Sequence, residues 1–473
     1  MKVWAPVVVA TTLLSLRGAA YARDVPVATP AALRDAIASA MPGDQIIVAD
    51  GTYALTDMSC LTAGTVAAPI IVRAATSLGA KLEFSGVEGF KVSGAHWQFD
   101  GLDIRGVCPV DDNCEHAFHV VGKADGFVLR NSRVRDFNAQ VKVNIATVSA
   151  MIVAPNAGLI EYNELSDTRP RNTGYPVTKL NIDGGDDWIV RGNYIHDATK
   201  MGGNQTSFGA FFKSGGKRGV MERNLMICAK DNQSSSTRIG LSLGGGGTGG
   251  EFCPPAYNAN VPCAIEHDGG TLRNNIIVNC SDVGIYLNRA KDSKILFNTL
   301  IETSGIDLRF DTTSGEAYGN LVSGVIRTRD GATMTAASNV QNVALATFQT
   351  WYTAPLVGDL TAVGDVLTAI GAVATRTDVT DDYCANVRAT GMTGTGAIDH
   401  VQGGCVTTRP PPSTGGTGGT DGMDHRDVGG TGGRDDIAVH DDNGGCCTSQ
   451  RYPLSAWLAV AVLLLVGRKR RGV

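Results

Sequence analysis

The chain has 473 residues, and 41 Lys and Arg stand against 46 Asp and Glu, a formal charge of −5 at neutral pH. That balance excludes the basic stripe a nucleic-acid surface needs for its phosphate contacts, so no nucleic-acid partner is expected. Between two unusual ends lie roughly 380 residues, large for one globular core unless that core grows along a single axis.

The chain starts with Lys2, a largely apolar stretch from Val7 to Leu16, and Ala20-Tyr21-Ala22. These are the three regions of a secretory signal peptide, so residues 1–22 are expected to be removed and the exported chain to begin at Arg23. The apolar stretch is too short for a membrane span. A helix signal follows, with Thr29 as N-cap, Pro30 at the first position, and Leu33, Ile37 and Ala40 on one face. Pro42-Gly43 ends it. A helix here would cover the open end of a solenoid, which otherwise exposes apolar side chains and unpaired strands. The segment 44–53 then gives a strand and a turn. Further strands are predicted at 70–73, 81–84, 90–92, 97–99 and 102–104, with Gly, Asp and Ser at the corners.

Along the middle of the chain an asparagine returns after short apolar stretches: Asn131, Asn163, Asn193, Asn224, Asn275, Asn298 and Asn320. A unit of this length marks a solenoid, and strand-like alternation makes each unit one coil of a parallel β-helix. Asn suits the position because it tolerates a left-handed corner and because stacked amides bond along the axis. The interval from Asn224 to Asn275 is the long one. It holds the strand-like Gly240–Leu243, a GGGGTGG run and a loop between Cys253 and Cys263. Such an insertion either projects over a binding face or is a tolerated surface excursion.

Aligning the coils places Phe118, Val120, Leu180, Ile182, Ile285 and Leu287 inward, and His119, Asn181, Asp183, Tyr286 and Asn288 outward. Counting back from Asn224 puts Lys213 inward, where an unpaired ammonium is too costly. A one-residue slip is therefore expected, with Phe212 inward and Lys213 on the outer face beside Asp183. A row of outward polar groups crossing several coils makes a groove suited to an extended sugar chain. Asp183, Asp186 and Asp187 offer oxygen ligands for calcium, or form a solvated corner. In Cys114-Glu115-His116-Ala117-Phe118-His119 the two histidines fall on opposite faces of a strand unless a bulge intervenes. Glu266-His267-Asp268 reads as a turn or as an acid–base group. Gly244–Gly247 lacks the Lys-Ser/Thr and helix of a phosphate loop.

The cysteines fit an oxidising compartment. Cys108 with Cys114, Cys253 with Cys263, Cys384 with Cys405, and Cys228 with Cys280 are the expected disulfides, leaving Cys60 as a buried thiol. No CxxC or HxxxH spacing supports zinc. Residues 406–445 are rich in Gly, Thr and Asp and read as a hydrated tether. Cys446-Cys447, an apolar segment from Leu454 to Gly467 and Arg468-Lys469-Arg470-Arg471 complete the chain. Residues 446–473 resemble the MYXO-CTERM sorting tail of myxobacterial surface proteins. That resemblance implies a sorting protease acting near Cys446 and Cys447 and display of residues 23–405 at the cell surface. A plain single-pass anchor is the alternative reading, with its basic end cytoplasmic.

The runs PGDQIIVADGTY, APIIVRAA and HWQFDGLDIRGV, with the closing DDYCANVRATGMTGTGAIDH, resemble the chondroitinase B and alginate lyase type of right-handed parallel β-helix over residues 29–400. The resemblance implies an acidic polysaccharide substrate, Ca2+ as cofactor and β-elimination. Phe212-Lys213-Ser214 followed by Glu222-Arg223-Asn224 matches the segment that carries the family's catalytic lysine, making Lys213 the base. The family's Arg-His-Gly falls on Leu243-Gly244-Gly245, and its calcium carboxylates fall on Phe208 and Thr206. Arg238 is then the substitute helper, and Asp183, Asp186 and Asp187 the substitute ligands. The competing expectation is a non-catalytic surface adhesin or matrix protein using the same groove.

Overall fold

The computed structural model describes residues 23–245 and 250–405. The signal peptide expected at 1–22, the tether at 406–445 and the sorting tail with Cys446 and Cys447 lie outside the described residues, as does most of the GGGGTGG run. Among the described residues no helix is long and apolar enough to cross a membrane.

Among the described residues ten coils each contribute one short strand to each of three parallel sheets, and one sheet carries a further strand at either end, giving sheets of twelve, ten and ten strands. In the coil from 70 to 92, Ile70–Ala74 joins the twelve-stranded sheet, Ala80–Phe84 one ten-stranded sheet and Glu88–Val92 the other. The last of these sheets, running from Met58–Cys60 to Val325–Arg329, is called the site sheet below. Alternation sends one set of side chains into a continuous apolar interior, where Phe90, Phe99, Phe118 and Phe127 pack with ring centroids 4.8–5.9 Å apart. The architecture is the right-handed parallel β-helix that the repeat and the family resemblance together imply.

The amino-terminal helix spans Pro30–Ala38, and the Thr29 hydroxyl caps it by accepting from Ala32 N at 3.1 Å. Leu33 and Ile37 are buried against the first coils. A strand absent from the sequence reading, Arg23–Val27, pairs with Asp44–Val48 and extends the twelve-stranded sheet by one.

The asparagine ladder differs from its reading in register. The rungs lie at the two-residue corner that follows each strand of the twelve-stranded sheet and leads to the ten-stranded sheet of Ala80–Phe84. Asn193 Oδ1 accepts from Asn163 N and Nδ2, both at 3.0 Å, and Asn193 N in turn donates to Asn224 Oδ1 at 3.0 Å. The same bonds link Asn224, Asn275, Asn298, Asn320 and Asn339, so the ladder gains a rung at Asn339. Asn131 is not a rung: Ser132 occupies that slot and donates its N–H to Asn163 Oδ1. The left-handed residue is the one before each rung, Tyr162, Gly192, Arg223, Asn274, Phe297 and Gly319 among them. The rung asparagines are there for their amides, which satisfy buried backbone groups of the neighbouring coil.

All four expected disulfides form, and Cys60 is the buried free thiol. Asp382, Arg388 and Asp399 of the closing segment are buried; Arg388 donates to the carbonyls of Gly394, Gly396 and Ala397.

Candidate functional site

The register of the site sheet aligns two outward columns. One runs His119, Lys142, Asn181, Phe211, Ser242, Tyr286, and the next Val121, Asn144, Asp183, Lys213, Gly244, Asn288. Phe212 is inward in line with Ile182, and Lys213 lies beside Asp183. The slip has a local cause. Backbone bonds from Gly184 N to Lys213 O and from Asp187 N to Lys217 O show one extra residue at the Ser214-Gly215 corner, where both residues are left-handed.

Asp183 is the centre of the polar cluster. Its carboxylate accepts from Lys142 Nζ at 2.7 Å and from the Ser214 hydroxyl, and Lys213 Nζ lies 3.4 Å away. Burial alone would raise this carboxyl, but the two ammonium groups and the hydroxyl hold it well below the usual carboxylate range. Burial pulls Lys142 below the ordinary lysine value, Asp183 opposes that, and the Lys213 charge adds to it. Lys142 also donates to Asn181 Oδ1 at 3.2 Å. Lys213 makes the longer contact and lies over the Phe211 ring at 4.9 Å.

Two insertions leave the same edge of this sheet. A hairpin of Ala146–Val148 and Met151–Val153 follows the Lys142 strand, and the Cys253–Cys263 loop follows the strand Thr237–Gly244. Between them lie the Asp183 and Lys213 coils. The resulting groove, about 450 Å³, has Gly184, Gly185, Ser214 and Gly215 on its floor, Ile152 and Val153 on one wall, and Pro254 and Tyr257 on the other. The loop is anchored next to Lys213, since Glu266 Oε2 accepts from Ser214 N at 3.0 Å.

Other sequence expectations need correction. Arg238 is not beside Lys213. It pairs with Ser207, six residues along the strand from the Lys213 level, or about 20 Å at the rise of an extended strand. There its guanidinium donates to Ser234 O and Ser236 O. The three aspartates do not form a calcium site. Asp183 is held by two lysines, whereas Asp186 and Asp187 bind Arg218 at 3.1 and 2.7 Å on an exposed corner. With Phe208 and Thr206 at the positions where the resemblance expects carboxylates, the residues present do not fit Ca2+. Tyr286 packs in an outward apolar cluster with Phe208, Phe211, Ile239 and Val283, and accepts at its hydroxyl from Asn288 Nδ2 at 3.3 Å. His267 is buried under Phe212, accepts from Gly219 N at 3.2 Å and is pushed down by burial to about 3, so it is a packing residue.

Lys142, Asn144 and Glu88 were missed. The Lys142 strand was hidden because the hairpin fills the Asn131–Asn163 interval, yet Val141-Lys142-Val143-Asn144 alternates plainly. Glu88 pairs with His116, and its carboxylate is bonded to His119 Nδ1. The two histidines share a face after all. Pairing is interrupted at Ala117, whose carbonyl would lie 2.5 Å from a Cβ at Gly89, and the ring centroids are 5.0 Å apart.

Residues 27–148 match the family model described as Chondroitinase B. No curated protein matches the chain. Among solved structures the chain is similar to pectate lyase Pel9A, with 15% identity over 79% of this chain and 89% of that one and a TM-score of 0.47. It is also similar to a rhamnogalacturonan lyase, with 12% identity over 67% and 87% and a TM-score of 0.47. A PL6 family polysaccharide lyase from Pseudopedobacter saltans is similar at 14% identity over 67% and 92%, with a TM-score of 0.38.

Proposed function

We propose that this chain is an exported, surface-anchored protein whose site sheet takes an acidic polysaccharide along its outer groove and cleaves it by β-elimination. The observation that carries the reading is the Lys142–Asp183–Lys213 cluster at the edge of a groove walled by two insertions. With Lys213 neutral as the acceptor, the Lys142 ammonium is the positive group left to meet a uronate carboxylate. Lys142, tied to Asn181 and Asp183, is the fixed ammonium that stabilises charge building on the carboxylate. Lys213, with its single longer ion contact, is the proton acceptor for the carbon α to that carboxylate. No step is assigned to calcium. The match of residues 27–148 to the Chondroitinase B family model supports the substrate class. The signal-like start and the four disulfides support export.

The distance of Arg238 and the missing calcium carboxylates favour a second reading, a non-catalytic surface carbohydrate binder or matrix protein on the same groove. To separate the two, the full chain is incubated with a panel of uronic-acid polymers, with and without calcium, while absorbance of unsaturated uronates is followed. Release of product independent of calcium and lost in Lys213→Ala supports the lyase. Retention on a polysaccharide column with no product from any polymer leaves only the binder.

A further inference from the structure

Beside the lysine cluster, and not used by it, three potential ligands converge at the start of the strand His116–Val121. One ligand atom from each of Glu88, His116 and His119 lies within 4.8 Å of the other two. The interruption at Ala117 turns His116 to the side of His119, and the parallel register brings Glu88 of the preceding coil alongside. We propose that Glu88, His116 and His119 form a binding site for a divalent first-row transition ion of the zinc or cobalt class.

Three observations carry this assignment. His116 Nδ1 is a buried polar atom with no hydrogen-bond partner, the state expected of a ligand atom without its ion. His119 is held at both nitrogens: Nε2 lies 3.1 Å from Asn144 Oδ1, and Nδ1 is hydrogen-bonded to the Glu88 carboxylate, a contact that an ion between the two would replace. Ligating histidines are characteristically held in this way through the nitrogen that does not bind the metal. The neighbouring Lys142 ammonium is turned to Asp183 and Asn181, which offset its charge.

Two imidazoles and one carboxylate select a borderline transition ion over calcium, which prefers an all-oxygen shell. Glu88 and His116 retain 20% and 12% side-chain exposure, so coordination positions open to solvent remain, as in sites that also take an exogenous ligand. A second group of three, His196 with Asp197 and Asp231, lacks this character. His196 is bonded at both nitrogens to carboxylates, and Asp197 Oδ1 already accepts from three backbone N–H groups.

The test is titration of the full chain with Co(II), following ligand-field absorption and stoichiometry, with Zn(II) as competitor. One Co(II) per chain is expected, displaced by Zn(II) and lost in His116→Ala and His119→Ala. Glu88→Gln, which keeps the shape, is expected to weaken binding at least about tenfold, and Asn144→Ala about tenfold through loss of orientation of His119. His196→Ala should bind as wild type. Metal-free thermal unfolding of each variant identifies any that fail to fold. The assignment is overturned if wild type gives no band at stoichiometric Co(II), or if the band survives in His116→Ala/His119→Ala or disappears in a folded His196→Ala.

Discussion

The asparagine corner and the outer face of the site sheet are built from the same coils, yet they follow opposite rules. At the corner seven successive coils, from Asn163 to Asn339, present the same side chain for the same purpose, because the backbone of each turn demands the same acceptor and donor. On the outer face the register is equally strict, but the column through Asp183 reads Val121, Asn144, Asp183, Lys213, Gly244, Asn288, with no residue repeated except asparagine. A position set by the fold repeats with the fold. A position released from that demand varies from coil to coil, and there the chain has placed charges that stability alone does not require.

Breaking the outer face at its centre should have the largest effect. Asp183→Ala strands two largely buried ammonium groups and is expected to cost about 3–5 kcal/mol in chemical denaturation. Replacing the whole cluster, Lys142→Met/Asp183→Leu/Lys213→Met, should restore stability to near wild type while abolishing retention on acidic polysaccharide. If the triple variant stays as unstable as Asp183→Ala, the cluster is structural and the contrast with the corner fails.

Asn224→Ala tests the other region. It removes the acceptor for Asn193 N and the donor to Val190 O, both buried, and should cost about 2–3 kcal/mol with polymer retention unchanged in the folded fraction. The pH dependence is a further contrast. The folded Asp183 value is depressed, so its stabilising contribution is present above the unfolded carboxylate pKa of about 4 and is lost as pH falls through the lower folded value. The stability gap between wild type and Asp183→Ala should therefore hold constant from neutral pH down to about 4, narrow below that, and close as pH falls through the lower folded value. The gap for Asn224→Ala should not depend on pH in this way. The smallest effect belongs to Arg238→Ala, about 20 Å from Lys213 along the strand, which should leave both product release and retention at wild-type levels.

The fold was legible because a repeating corner writes a period into the sequence. Its exact register was not, since Asn131 precedes a serine rung and only the bonds distinguish a left-handed asparagine from a stacked one. The slip at Lys213 was readable from the cost of burying an ammonium, and the extra corner residue accounts for it. Lys142 was hidden by a hairpin that disguises a strand inside a normal interval. Arg238 looked adjacent because strand length is invisible to a count of coils, and the strand Thr237–Gly244 is long enough to separate its two ends widely. Asp186 and Asp187 are close to Asp183 in sequence, but the Gly184-Gly185 corner carries them to a different face, where Arg218 meets them. The two histidines share a face because of a break in strand pairing at Ala117.

The role proposed for the lysine pair on the outer face is proton transfer and charge stabilisation in β-elimination. Its most direct test is the initial rate of unsaturated uronate release from the polymer that wild type degrades fastest, compared among wild type, Lys213→Ala and Asn224→Ala at equal folded concentration. The account predicts release by wild type and Asn224→Ala and none by Lys213→Ala. Undiminished release by Lys213→Ala would contradict it.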